Sequence, residues 1–339
     1  MDVDQETVTV ALTVFYTFLL VAPSTPLAPR AILRLSLLCT VVLPFLFAAV
    51  VVACHGESSV SFTPKWFSPL HGPAANHDFC EENYRYTGYL AEFHNSWSSL
   101  PIIFYGGLGP YYTRKYATSE ARFSASFISI GAVGIGSTLY HGTLMRFGQV
   151  LDEVPMLCII FAGAFCFIED QKEPKHGQWL PILLIAACMA LVAGYLVYYL
   201  YVLFLMAFAG GVVLLLVRGL AVQRKASKLS GRLLGIAAMS ILCGFVCWMV
   251  DEHFCTSVQH LRLHIGWHIA TGFGGYMFTM FLVTLRASVV DKVAVLVVSA
   301  RNFRSGWRLS HDLKWEPCKR PEFLLPYVEW RSPGRQRTD

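Results

Sequence analysis

Hydrophobic residues in this chain fall into long, nearly charge-free blocks rather than the alternation of a half-buried strand or the one-sided stripe of a soluble helix. Seven blocks have roughly 20 residues, the length that crosses a hydrocarbon layer about 30 Å thick. They run over Leu90–Tyr112, Arg122–Gly142, Gly148–Ile168, Gln178–Tyr195, Val197–Val217, Gly231–Val250 and Leu263–Leu285. No charge interrupts Trp179 to Val217, which is too long for one crossing and predicts a tight turn near Gly194–Tyr201. Two further apolar stretches, Val8–Ala22 and Ala31–Cys54, lie upstream. The acidic start MDVDQE lacks the basic region of a secretory signal, so these stretches read as extra spans or a signal anchor. The expected architecture is all-α. It is a polytopic membrane protein whose seven-transmembrane helix bundle occupies residues 78–290, after an N-terminal extension (1–77) with one or two extra apolar segments and a linker. Residues 291–339, basic and broken by Pro317, Pro321 and Pro326, read as a cytosolic tail with no second domain.

Composition agrees: 55% of the 339 residues are hydrophobic and only 14% charged, which excludes an ordinary soluble domain. Basic residues concentrate in alternate connections (Arg114, Lys115 and Arg122; Lys172 and Lys175; Arg218 to Arg232) and in the stretch after Arg286. By the positive-inside rule these are cytosolic, and the segment before the first core span is lumenal. The same bias accounts for the net charge of +5. No nucleic-acid motif is present and no protein partner is implied.

Against this apolar background three histidines stand out. His264 and His268 are four apart in LHIGWHIATG, so a helix places both rings on one face, and His141 closes another apolar block in GSTLYHGTL. Asp152 opens a third, and Ser137 lies one helical turn before His141. A lone membrane-embedded histidine is more often a hydrogen bonder between helices, and a serine in GAVGIGS more often a packing residue. Topology, however, brings all these residues to the lumenal end of their helices. Three imidazoles, a carboxylate and one open position are the parts of a zinc hydrolase site. Glu153 and Asp251, also at block edges, have no evident partner.

A second constellation, HDFCEENYRYTGYLAEFHN, gathers Asp78, Glu81, Asn83 and Glu92 just before the first block. Oxygen ligands in this density suit calcium, although the spacing is not that of an EF-hand and acidic loops are commonly just solvated. Glu92 lies inside an apolar segment and calls for a cation or a hydrogen-bond partner.

DFCEENY and AEFHN, then GSTLYHGTL, FGQVLDEVPM, HIGWHIATG and the closing LLPYVEW follow in an order that resembles the alkaline ceramidase family, over about Asp78 to Glu329. The resemblance implies a seven-helix membrane amidase that hydrolyses ceramide to sphingosine and a fatty acid. It implies zinc on His141, His264 and His268, Asp152 as proton shuttle and Ser137 as oxyanion stabiliser. It also implies calcium on Asp78, the backbone carbonyl of Phe79, Glu81, Asn83 and Glu92. The nucleophile would be zinc-bound water, the partner a membrane lipid, and the location the endoplasmic reticulum or Golgi with the active site lumenal. The family usually carries tryptophan where this chain has Phe79 and His94, and the first 75 or so residues have no counterpart in its pattern.

Cys80 and Cys255 both fall on the expected lumenal side, where a disulfide is permitted. Cys39, Cys158, Cys166, Cys188, Cys243 and Cys247 lie in apolar blocks and read as small packing residues. Two other readings use the same histidines: a related seven-helix lipid receptor of the progestin and adipoQ type, and a proton-conducting channel or transporter. The acidic DFCEENY block argues against the receptor, and clustering of polar residues at one depth argues against the channel.

Overall fold

The computed structural model describes residues 74–198, 201–223, 226–299, 305–319 and 325–333. The stretches Val8–Ala22 and Ala31–Cys54, most of the linker, and Arg224, Lys225, Arg301, Arg304 and Pro321 lie outside the described residues. Nine α-helices are formed among those described: α1 (Phe93–Ser98), α2 (Leu100–Tyr116), α3 (Ala121–Thr143), α4 (Arg146–Ile168), α5 (Trp179–Tyr198), α6 (Tyr201–Gln223), α7 (Lys228–His253), α8 (Cys255–Val258) and α9 (Leu263–Val289). Six of them, α3 to α7 and α9, are long and apolar enough to cross a membrane. The chain is an all-α polytopic membrane protein with, among the described residues, one small sheet. The stretch expected as the first crossing is divided at Ser99 into α1 and a 17-residue α2 that carries Pro110, Arg114 and Lys115. Helices α5, α6 and α7 keep Leu183, Met206 and Met239 exposed, as lipid-facing helices do.

Two compact units are built from these elements. The first takes the chain up to Gly107, Ile128–Met156 and Ile241–Gly272. Within it α3 and α4 approach so closely that a Cβ on Gly136 would lie 2.2 Å from the Leu151 carbonyl, and the absence of a side chain there is what admits Asp152 beside α3. Helix α3 ends as Leu144 turns left-handed (φ 49°), so α4 begins two residues later. The loop before α1 folds over this corner. Ala75 N–H donates to Leu144 O (2.9 Å), Ala91 N–H to Gly142 O (3.0 Å) and Glu92 N–H to His141 O (2.9 Å). The last carbonyls of α3, orphaned by helix geometry, are thereby satisfied by the acidic loop itself.

The second unit comprises Leu108–Phe127, Leu157–Ser240 and Phe273–Asp339. Arg122 and Arg286 both pair with Glu120 (2.7 and 2.8 Å), and Arg286 also donates to Gln171 O (2.5 Å). Where the sequence reads as an unstructured basic tail, the structure forms an antiparallel sheet of β1 (Val293–Ser299), β2 (Ser305–Leu309), β3 (Trp315–Lys319) and β4 (Tyr327–Arg331), in the order β3-β2-β1-β4. The cause is β1, VAVLVVS, which buries Val295 and Val297 against Tyr112, Cys318 and Tyr327 on one side. Tyr327 stacks between Tyr112 (5.4 Å) and Tyr116 (4.5 Å), so the sheet is packed onto the end of α2.

Candidate metal centre

Helix α3 supplies Ser137 and His141, α4 supplies Asp152, and the first turns of α9 supply His264 and His268. All five are buried, His141 completely. Among the described residues the three histidines form the group of His, Cys, Asp or Glu side chains placed to hold a metal ion, with one ligand atom from each within 4.8 Å of the others.

Hydrogen bonding shows which ring nitrogens face inward. His141 Nδ1 lies 2.5 Å from Glu92 Oε2, so its N–H points at the carboxylate and Nε2 is left with a lone pair. His268 Nδ1 lies 2.7 Å from Ser98 Oγ. The Ser98 hydroxyl also donates to Asn95 O (3.0 Å), and having one proton it accepts from His268, which again leaves Nε2 unprotonated. His141 Nε2 and both nitrogens of His264 are buried without a hydrogen-bond partner, as is Asp152 Oδ1. Buried polar atoms are rarely left so, and partnerless imidazole nitrogens within a group of three gathered histidines fit a nitrogen-preferring divalent cation such as zinc. Ser137 Oγ sits 2.8 Å from Ser99 Oγ and 3.3 Å from His268 Nε2.

The acidic loop is tied to this centre through Glu92. One of its oxygens accepts from the Phe79 N–H (3.0 Å), while the other accepts from Asn95 Nδ2 (2.8 Å) and His141. The Phe79 ring packs at a tilt against His264 (4.0 Å) and His141 (5.0 Å). Asn83 Nδ2 donates to Asp78 Oδ2 (2.9 Å), and Asn83 Oδ1 is buried without a partner. Both Glu81 oxygens accept from the start of α1, at His94 N–H (2.8 Å) and Asn95 N–H (2.9 Å), so only its remaining lone pairs are free for a cation. Partial burial, and then the Glu92 carboxyl beside it, push the Asp78 carboxyl up to about 6. Oxygens crowded in this way fit a hard cation in donor type.

Cys80 and Cys255 lie at disulfide distance, Cα to Cα 5.4 Å, between the acidic loop and α8. Asp251, for which the sequence offers no partner, accepts from the backbone N–H groups of His264 and Cys80. Glu153 accepts from Gln149 Nε2 (2.9 Å). His94 packs its ring edge-on to Tyr86 (4.6 Å).

The family model for ceramidases matches residues 71–303, a span that holds every one of these residues. The chain belongs to the ceramidase family. Among its relatives it is 28% identical to alkaline ceramidase YPC1 of Saccharomyces cerevisiae, over 75% of this chain and 90% of that protein. It is 30% identical to alkaline ceramidase 3 of Mus musculus (60% and 81%) and 29% identical to the alkaline ceramidase of Arabidopsis thaliana (65% and 88%).

Sequence reasoning missed three residues of this ceramidase-family site: Asn95, Ser98 and Ser99. In HNSWSSL Asn95 precedes Ser98 and Ser99 by three and four positions and so shares their helical face, a spacing that by itself does not separate a site role from packing. For Glu92 the sequence calls for a cation or a hydrogen-bond partner, and the closest partner it has is His141.

Proposed function

We propose that this chain hydrolyses the amide bond of ceramide, releasing sphingosine and a free fatty acid, at the centre formed by His141, His264 and His268. The observation that carries this reading is a group of three buried histidines with ligand atoms within 4.8 Å of one another, in which His141 Nε2 and both His264 nitrogens have no hydrogen-bond partner. His141 and His268 through Nε2, together with His264, would hold zinc, which when bound supplies Lewis acidity that polarises a carbonyl and makes water nucleophilic near neutral pH.

Each protein group then has a definable task. Asp152 Oδ1 accepts the proton of the attacking water and returns it to the leaving amine, in the manner of a general base that becomes a general acid. The Ser137 hydroxyl, now against Ser99, turns to donate to the developing oxyanion, exchanging one hydrogen bond for a stronger, charge-assisted one. Glu92 and Ser98 hold the tautomers of His141 and His268. Calcium would bind Asp78, the Phe79 carbonyl, Glu81, Asn83 and Glu92 as a structural and regulatory ion, since Glu92 also fixes His141. The positive-inside distribution supports a lumenal active site and a cytosolic C-terminus.

Detergent-purified protein should release sphingosine from ceramide, and His264→Ala should release none. Bound zinc without turnover on a panel of ceramides would overturn the reading in favour of a lipid receptor.

A further inference from the structure

The C-terminal sheet has two apolar faces, and among the described residues only one is covered to its edge. Val295, Val297, Cys318 and Tyr327 pack against Tyr112 on the first face. On the opposite face the register sets Leu296 across from Leu309 and Val328, Leu309 across from Trp315, and Trp307 across from Pro317. The inner members of this set, Leu296, Leu309 and Val328, are buried, but at its outer edge Trp307 and Trp315 are each 49% exposed. They lie diagonally on neighbouring strands, close enough for two large rings to form one surface. An exposed pair of tryptophans is costly in water and suited to a wet, partly apolar layer.

The position of the sheet supplies such a layer. Helix α9, one of the helices able to cross a membrane, ends at Val289, and β1 starts at Val293. The connection turns tightly, with Asp291 left-handed (φ 55°) and Lys292 N–H bonded to Ala287 O (2.8 Å). Four residues extend at most about 14 Å, so the sheet starts at the membrane surface on the side where α9 ends. Charges mark the same level: Arg286 pairs with Glu120 (2.8 Å) and Lys172 with Asp291 (3.1 Å). The chain from Asp291 onward carries ten Lys and Arg against six Asp and Glu, a balance that complements anionic headgroups, and Lys314 is exposed beside Trp315. The edge strand β3 contains Pro317, which cannot donate to a further strand. Engagement is thus through side chains, not by strand addition.

We propose that the β2–β3 hairpin is a membrane-interface foot, with Trp307 and Trp315 seated in the headgroup layer of the same bilayer that α9 crosses. The inference stands apart from the hydrolytic reading, because it uses neither the histidines nor the acidic loop.

The test is made on the full chain in vesicles of phosphatidylcholine and phosphatidylserine. Tryptophan emission of Trp307→Phe and Trp315→Phe, each singly, is subtracted from that of the unsubstituted protein to isolate each ring. The difference emission should be shifted to shorter wavelength and lost to a nitroxide carried at the headgroup end of the lipid, while aqueous iodide leaves it largely intact. Emission lost to iodide and untouched by the nitroxide would overturn the proposal, and so would emission that neither quencher reaches. Because phenylalanine keeps the apolar surface, each variant is expected to retain the elution profile and helicity of the parent.

Discussion

At the residue scale, the proposed metal site depends on side chains that position the histidines. Ser98 holds His268 at 2.7 Å. Ser98→Ala should weaken zinc affinity by about 10- to 100-fold, read by competition with a chromophoric chelator, with thermal stability nearly unchanged. Asp78 gives a pH signature. Its carboxyl is pushed up to about 6 by burial and then by Glu92, so ionising it costs the folded state free energy as pH rises from the unfolded value of about 4 through about 6. A bound cation offsets that cost. The gain in Tm on adding calcium should therefore be larger at about pH 7.5 than at about pH 5, and Asp78→Asn should flatten the difference. The pair His264 and His268 was legible in the sequence because helical periodicity alone aligns positions four apart. Ser98 and Ser99 were not, since serine near small residues reads equally as packing and only distance to His268 separates the two roles.

At the element scale, the closeness of α3 and α4 is fixed by Gly136, whose absent side chain leaves room for the Leu151–Asp152 backbone. Gly136→Val should separate the helices, lower thermal stability by about 1–3 kcal/mol and remove turnover, measured by thermal unfolding in detergent beside the sphingosine assay. The bridge between Cys80 and Cys255 closes a separation of 175 residues. Cys80→Ser should cost about 2–5 kcal/mol of stability and loosen the calcium response before it affects zinc content. Helix existence was readable from apolar block length, and the expected ends of α3, α4 and α9 fall within a few residues of those observed. The sheet was hidden because VAVLVVS is as apolar as a membrane segment and Pro317 interrupts β3, so neither strand shows the alternation of a half-buried surface.

At the scale of the whole molecule, the account joins a ceramidase-family chain, a buried histidine centre and an acidic loop folded over it by the backbone bonds at His141, Gly142 and Leu144. What sequence could give at this scale was the membrane class and the order of the motifs. It could not give the link through Glu92, because a carboxylate in an apolar segment announces only that a partner exists. The central claim is that histidines bind the metal while Asp152 handles the proton, and the most direct measurement is zinc content together with sphingosine release for the unsubstituted protein, His264→Ala and Asp152→Asn. The account predicts zinc and turnover in the first, neither in the second, and in the third retained zinc with turnover reduced by about 10²- to 10⁴-fold. Undiminished turnover in Asp152→Asn, or zinc and turnover surviving in His264→Ala, would contradict it.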